Sequence, residues 1–391
     1  MTVISGRGAF ERLDEITGWA ADTLVVASAG TVDRLGLRGV LPAGAALFTD
    51  FHPNPTADQA LAAARARHEH RATLVVGVGG GSALDVAKAA RALPADRAAA
   101  ERVLRGTDGP RTDARLVLVP TTAGPGSEVT RFATLYRDGH KLSLDAAGVQ
   151  ADAALVDPAL TDSCPPEQTW CCAFDAFAHA VESLWSSRAT DESRAWAVAA
   201  LDLLVPILEG AAPTPAADER DRLSAAALLA GRAIDRTRTT AAHALAYPLT
   251  THLGVRHGHA CALNLTWLAP MVETAAPDER TLPDPVLDTL RRLLRADGRD
   301  LGRVVTDLLA ARGLPTRCGS ANGTHLVDVV VAEGLASNRV SGTPIRLDPT
   351  AVRAAVRRLL VDPATGAAGE PHHRSTRAAA GGPGSPSRSR D

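Results

Sequence analysis

Between Thr237 and Leu265 the chain crowds imidazoles, hydroxyls and guanidinium groups into an otherwise apolar stretch. Arg236, Arg238, Thr239 and Thr240 lead into His243, and His257-Gly258-His259 follows after a short break. Upstream, Asp175 and His179 stand four residues apart, a spacing that puts both on one face of a helix. Imidazole is the commonest metal-ligating side chain. Asp175, His179, His243 and His257 could together surround one divalent metal with nitrogen and oxygen donors, a mix that suits iron or zinc. A single histidine is more often an ordinary core or surface residue, and His52, His68, His70, His140, His252 and His325 are read that way. The apolar surroundings of His243 and His257 argue for ligation, because buried polar groups without partners are costly.

Guanidinium forks match the oxygens of phosphate or carboxylate. Arg236, Arg238, Thr239 and Thr240 are therefore expected to meet a substrate anion; the plainer alternative is a solvated helix end capped by threonine.

Two further segments carry chemistry of another kind. Gly77-Val78-Gly79-Gly80-Gly81-Ser82 follows an apolar run and opens a helical pattern. Glycines there let backbone approach a pyrophosphate, and the helix N-terminus offers N–H groups and a positive dipole. The spacing departs from G-x-G-x-x-G, and alone it fits a tight strand–helix turn equally well. A second loop, Pro120 to Thr130, shifts that balance by bringing Thr121, Thr122 and Ser127 to the end of another apolar run. Loops at the carboxyl ends of parallel strands converge on one crevice. A nucleotide is expected there.

The elements that must position these groups change character midway. Strands at 23–28, 72–78 and 115–120 alternate with helices at 57–68 and 82–93, which implies a parallel sheet covered on both faces. A strand pair is expected within 142–156. From Thr169 the pattern is helical: 169–186, 193–208, 218–235, 241–254, 285–296, 301–311 and 349–360. The boundary falls near Pro165, giving an α/β domain over 1–165, a helical domain over 166–363 and a tail over 364–391. That tail is rich in Gly, Pro, Ser and Arg, and is expected to be disordered.

The whole chain bounds the class. Its 391 residues suffice for two domains, and 45% hydrophobic with 22% charged residues is ordinary for a globular protein. A formal net charge of −2 gives no electrostatic case for nucleic acid or an anionic membrane. Five cysteines without CxxC spacing fit a reducing compartment, and neither a signal peptide nor a membrane span is read. A soluble, cytoplasmic protein is the expectation.

With these residues in view, the chain resembles the iron-containing (group III) alcohol dehydrogenase family from its first strand to about Leu360. The motifs in order are Gly79-Gly80-Gly81-Ser82 with Asp85 and Lys88, Pro120 to Thr130, Asp157-Pro158, Asp175-x-x-x-His179, and His243 with His257-Gly258. The resemblance implies a Rossmann-like α/β dinucleotide-binding domain followed by an all-α domain, the fold shared with dehydroquinate synthase. It also implies a metal, Fe²⁺ with Zn²⁺ as the alternative, held by Asp175, His179, His243 and His257, and an NAD(P)H cofactor against Ser28, Gly79, Gly80, Gly81, Ser82, Asp85, Thr121, Thr122 and Ser127. Homo-oligomers, often dimers, are common in the family.

Within the family, the segment around His243 and His257 is most similar to the phosphonoacetaldehyde-reducing branch, which forms 2-hydroxyethylphosphonate on routes to fosfomycin- and phosphinothricin-type antibiotics. A small anionic aldehyde is then the expected substrate, held by Lys141, Arg236, Arg238, Thr239 and Thr240, with Tyr247 or His259 taking part in proton return. Tyr247 stands where many members carry histidine, and Arg256 where proline commonly precedes the ligand. Ser28 occupies the position of an Asp that often selects NAD, so NADPH is admitted as well. A maleylacetate reductase or general alcohol dehydrogenase is the near alternative. A dehydroquinate-synthase-type lyase is more distant, since those enzymes use a glutamate ligand and several lysines.

Overall fold

A computed structural model of the chain describes residues 1–319 and 323–361. The expected tail, 364–391, lies outside the described residues.

The strands in chain order are β1 (Thr2–Ser5), β2 (Thr23–Val26), β3 (Ala46–Phe48), β4 (Leu74–Gly79), β5 (Arg115–Pro120), β6 (Phe132–Arg137), β7 (His140–Asp145) and β8 (Ala153–Val156). Six of them form one parallel sheet in the order β1-β8-β5-β4-β2-β3. β2, β4 and β8 are buried at every position, as near-continuous apolar runs are when helices cover both faces. After β3 the chain returns to β4 on the other side of β2, so the direction of winding reverses between β2 and β4. A crevice opens at such a switch point beyond the carboxyl ends of the strands. Ser28 follows β2 and Gly80 follows β4, which puts both at its mouth.

Helices of eight or more residues are α1 (Ala57–Glu69), α2 (Gly81–Ala92), α3 (Arg97–Leu104), α4 (Pro166–Trp185), α5 (Asp191–Glu209), α6 (Ala217–Thr237), α7 (Ala241–Leu253), α8 (His257–Thr274), α9 (Asp284–Leu293), α10 (Leu301–Ala311), α11 (Gly323–Ala336) and α12 (Pro349–Leu360). Thr56 and Gln59 close a capping box on α1, and Pro166 opens α4 at the one helical position where a missing N–H costs nothing. α4 to α12 share one apolar core, joined by Ala123 from the loop after β5. The loop and the helical half meet at Gly126 and Gly231: a Cβ on Gly231 would lie 2.8 Å from the Gly126 Cα. No helix among the described residues is long and apolar enough to cross a membrane.

The strand pair sits earlier than expected. β6 and β7 form an antiparallel ribbon joined by Asp138-Gly139, both at positive φ (50° and 79°), as a two-residue hairpin turn requires. β8 instead enters the main sheet between β1 and β5. α8 and α11 lacked a sequence signal for physical reasons. α8 is buried around most of its circumference, which erases amphipathic periodicity, and α11 carries the β-branched run Val329-Val330-Val331.

Candidate metal centre and active-site cleft

α4 carries Asp175 and His179 on one face, with His179 Nε2 3.8 Å from Asp175 Oδ1. α7 begins at Ala241 and places His243 in its first turn, 3.4 Å from the same oxygen. α8 begins at His257, whose Nε2 lies 4.0 Å from it. Three imidazole nitrogens thus converge on one carboxylate oxygen. The His179 and His243 rings stack at 4.5 Å, and His257 meets His243 edge-on at 5.3 Å.

The donor set fits a divalent metal. Asp175 Oδ1 and His243 Nε2 are buried and satisfy no hydrogen bond, the state expected of ligand atoms aimed at an ion. Burial alone would raise the Asp175 carboxyl; His179, His243 and His257 reverse the sign and keep it ionised far below the ordinary range. Burial pushes His179 down to about 4 and His257 down to about 3, so both are neutral and have a free lone pair. His243 goes the other way: burial opposes its charge, but Cys261, Glu182 and Asp175 outweigh that and raise it.

Glu182, one turn beyond His179 on α4, is fully buried and had no signal in the sequence reading. Its Oε2 bonds His243 Nδ1, while Oε1 accepts from the backbone N–H of Thr240 (3.0 Å) and Ala242 (2.9 Å) and from the Thr240 hydroxyl (2.5 Å). A carboxylate behind a ligating histidine fixes its tautomer and aims the opposite nitrogen.

A cavity of about 560 Å³ runs from this cluster to the crevice between β2 and β4. Ser28, Gly80, Gly81, Ser82, Thr122 and Ser127 line its far end, with Asp85 beside them. Gly79 and Thr121 lie just behind that wall, where the Thr121 N–H donates to the Gly79 carbonyl at 2.9 Å. Asp85 is engaged within the fold, accepting from the Ser127 hydroxyl at 2.6 Å and the Thr134 N–H at 2.9 Å. Lys88 completes the knot by donating to Ser127 (2.9 Å), Thr130 (3.1 Å) and the Phe132 carbonyl (2.8 Å).

The residues expected to hold substrate divide sharply. Lys141 and Thr239 line the cavity, and so does Tyr247, whose ring carries Lys141 Nζ at 3.6 Å and stacks on His257 at 5.2 Å. Arg236 points elsewhere and pairs with Glu192 at 3.5 Å on the half-exposed surface. Arg238 is spent on Asp145, and Thr240 on Glu182 and the Trp185 indole. His259 turns away to the Pro315 carbonyl at 2.6 Å. Arg256, the departure noted beside His257, pairs with Glu167 at 3.0 Å. Arg339 has no local signal in the sequence: it reaches the cavity wall from the short helical turn after α11.

 Its bond to the Ser143 hydroxyl in β7, at 3.5 Å, spans 196 positions of sequence.

The chain has recognisable relatives among known proteins. The sequence model described as iron-containing alcohol dehydrogenase matches residues 1–158, and that of the family's C-terminal part matches residues 169–290. The chain is 40% identical over 227 residues to the phosphonoacetaldehyde reductase of Streptomyces viridochromogenes, covering 55% of this chain and 57% of that protein. It is 30% identical over 270 residues to the 1-propanol dehydrogenase PduQ of Citrobacter freundii, covering 67% of this chain and 69% of that one. The matched stretch thus spans little more than half of the first relative's length. Among solved structures, the sulfoacetaldehyde reductase of Bifidobacterium kashiwanohense in complex with NAD+ superimposes with a TM-score of 0.80 at 27% identity, over 92% of this chain and 96% of that one. Both parts of one family occur in order along the chain, and metal-type donors gather on the helices that follow their junction. The chain belongs to the iron-containing alcohol dehydrogenase family.

Proposed function

We propose that the protein is a metal-dependent, NAD(P)H-linked reductase of a small aldehyde with an anionic end, with phosphonoacetaldehyde as the substrate and 2-hydroxyethylphosphonate as the product. The observation that carries this reading is the pair of cations on the cavity wall beside the metal donors. Lys141 rests on the Tyr247 ring, and no carboxylate of the described residues pairs with it. Arg339 reaches Asp145 only at 4.0 Å, because Arg238 already occupies that carboxylate. Burial lowers the Lys141 ammonium despite the opposing pull of Tyr247, and an incoming anion would favour its charged form. The phosphonoacetaldehyde reductase and sulfoacetaldehyde reductase among the similar proteins both act, by name, on aldehydes with such an end.

When bound, the metal supplies Lewis acidity toward a carbonyl and the nicotinamide supplies hydride. The chain's own residues do the rest. Asp175, His179, His243 and His257 would hold the ion, with Glu182 aiming His243. Gly80, Gly81 and Ser82 offer the open N-terminus of α2 to a pyrophosphate. Ser28 accepts from the Thr31 N–H at 3.2 Å and brings no negative charge to the crevice, which leaves room for NADPH as well as NADH. Lys141 and Arg339 would grip the anionic end, and the Tyr247 hydroxyl would return a proton through water. A product of this kind would feed phosphonate natural-product assembly.

The test is turnover of Fe²⁺-loaded protein under anaerobic conditions with NADH and with NADPH, comparing phosphonoacetaldehyde, sulfoacetaldehyde, maleylacetate and propanal. A kcat/KM favouring phosphonoacetaldehyde is expected. Equal or better rates with propanal would leave a general alcohol dehydrogenase and remove the anion grip.

A further inference from the structure

The helix that supplies His257 carries a second soft donor one turn later. Cys261 stands four residues beyond His257 on α8, so the two side chains share a face. It is fully buried, and its Sγ lies 3.8 Å from His257 Nε2. One ligand atom each from Asp175, His243, His257 and Cys261 all fall within 4.8 Å of one another. Free cysteine is often buried simply as a small apolar side chain. Three features separate Cys261 from that ordinary case. Although it belongs to the apolar core, its sulfur lies within reach of a ring nitrogen, His257 Nε2. The carboxylate oxygen of Asp175 and Nε2 of His243, both in the same group of donors, are buried without hydrogen bonds. And Cys261 does not line the cavity, whereas Asp175, His179, His243 and His257 do. The thiol therefore approaches from beneath the cluster and leaves the cavity side open to substrate.

We propose that Cys261 is a further donor to the metal, converting a nitrogen–oxygen site into one that includes sulfur. The inference rests on the cluster being a metal centre, as argued above. On binding, the thiol gives up its S–H proton to solvent and the sulfur lone pair forms the metal–sulfur bond, so proton release accompanies loading. A thiolate shifts preference toward softer ions such as Zn²⁺ and away from ions such as Mg²⁺ and Mn²⁺ that favour oxygen donors.

Two spectroscopic measurements test it on the full-length protein, independently of turnover. Cobalt(II) is loaded to one equivalent without oxygen, its stoichiometry is fixed by elemental analysis, and the near-ultraviolet thiolate-to-cobalt charge-transfer band is recorded. The band is expected in the unmodified protein and in Cys171→Ala, and is expected to vanish in Cys261→Ser with cobalt still bound. Zinc K-edge absorption of the unmodified zinc-loaded protein should likewise show a sulfur shell at about 2.3 Å, and it needs no variant to fold. Bound cobalt without the band, together with a zinc shell of nitrogen and oxygen only, would overturn the role of Cys261 while leaving the metal centre intact. Failure of the unmodified protein to take up either ion would overturn the metal centre and the cysteine's role with it.

Discussion

Glu182 and His243 form a buried carboxylate–imidazole pair: Glu182 Oε2 bonds His243 Nδ1, which turns His243 Nε2 to within 3.4 Å of Asp175 Oδ1. The other Glu182 oxygen holds the backbone entering α7, through the N–H groups of Thr240 and Ala242. One side chain thereby sets both the orientation of a ligand and the start of the helix that carries it.

Glu182→Gln should keep the fold, because the amide oxygen can still accept from Thr240 and Ala242, while the negative charge behind His243 is lost. Metal affinity is expected to fall about 10–100-fold, the usual effect of losing a partner of a ligating histidine. Competition with a chromophoric chelator measures it. Unchanged affinity in a folded variant would remove the orienting role.

Gly258 offers a way to disturb the centre without touching a donor. A Cβ added there would lie 2.7 Å from the Asp175 Cβ and closer still to the Cys171 carbonyl, both on α4. Helices α4 and α8 would have to move apart, at about 1–3 kcal/mol for overpacking a tight contact, and His257 would move with α8. Gly258→Ala should therefore lower both thermal stability and bound metal. Full metal content by elemental analysis would show that the close approach is incidental.

The cations divide by position, and substitution should divide them the same way. Lys141→Ala and Arg339→Ala each remove one charge-assisted contact to an anion, about 1.5–3 kcal/mol. That corresponds to roughly ten- to a hundredfold in kcat/KM for the anionic aldehyde, with little change for propanal. Arg236→Ala, on the surface with Glu192, should leave both substrates unaffected. Steady-state kinetics on paired substrates decides between them; a loss with Arg236→Ala equal to that with Lys141→Ala would contradict the assignment.

A pH signature resides away from the metal. Glu128, in the loop after β5, is 3% exposed, and burial pushes its carboxyl up from the ordinary 4.5 to about 7, with its own backbone N–H and Lys88 opposing. Between those two values the folded chain holds a proton that the unfolded chain has released, so stability falls as pH rises through the window and levels off above it. Glu128→Gln cannot ionise and should lack that fall, gaining up to about 3 kcal/mol over the parent chain above pH 7 and nothing below pH 4.5. Denaturant unfolding across this range measures the difference, and parallel pH profiles for the two proteins would count against it.

What the sequence determined by itself is what depends on short-range pattern. Apolar runs at β2, β4 and β5 gave the buried parallel strands, and the change to helical spacing after Pro165-Pro166 located the second half. Asp175 and His179 were legible because four residues make one helical turn, and the loops after β4 and β5 because small and hydroxyl residues cluster there. The Asp138-Gly139 turn is equally local, and it sets the strand pair ahead of the 142–156 span expected for it. Tertiary structure alone decided which groups share a site. Glu182 and Cys261 look like helix-interior residues until α4, α7 and α8 cross. Arg339 is remote in the chain until β7 folds beside it. Arg236, Arg238 and His259 have the right chemistry and adjoin the right ligands, yet Glu192, Asp145 and the Pro315 carbonyl claim them. Spacing along a helix fixes which side chains share a face, but a charge is available to a ligand only if no other part of the fold has already neutralised it.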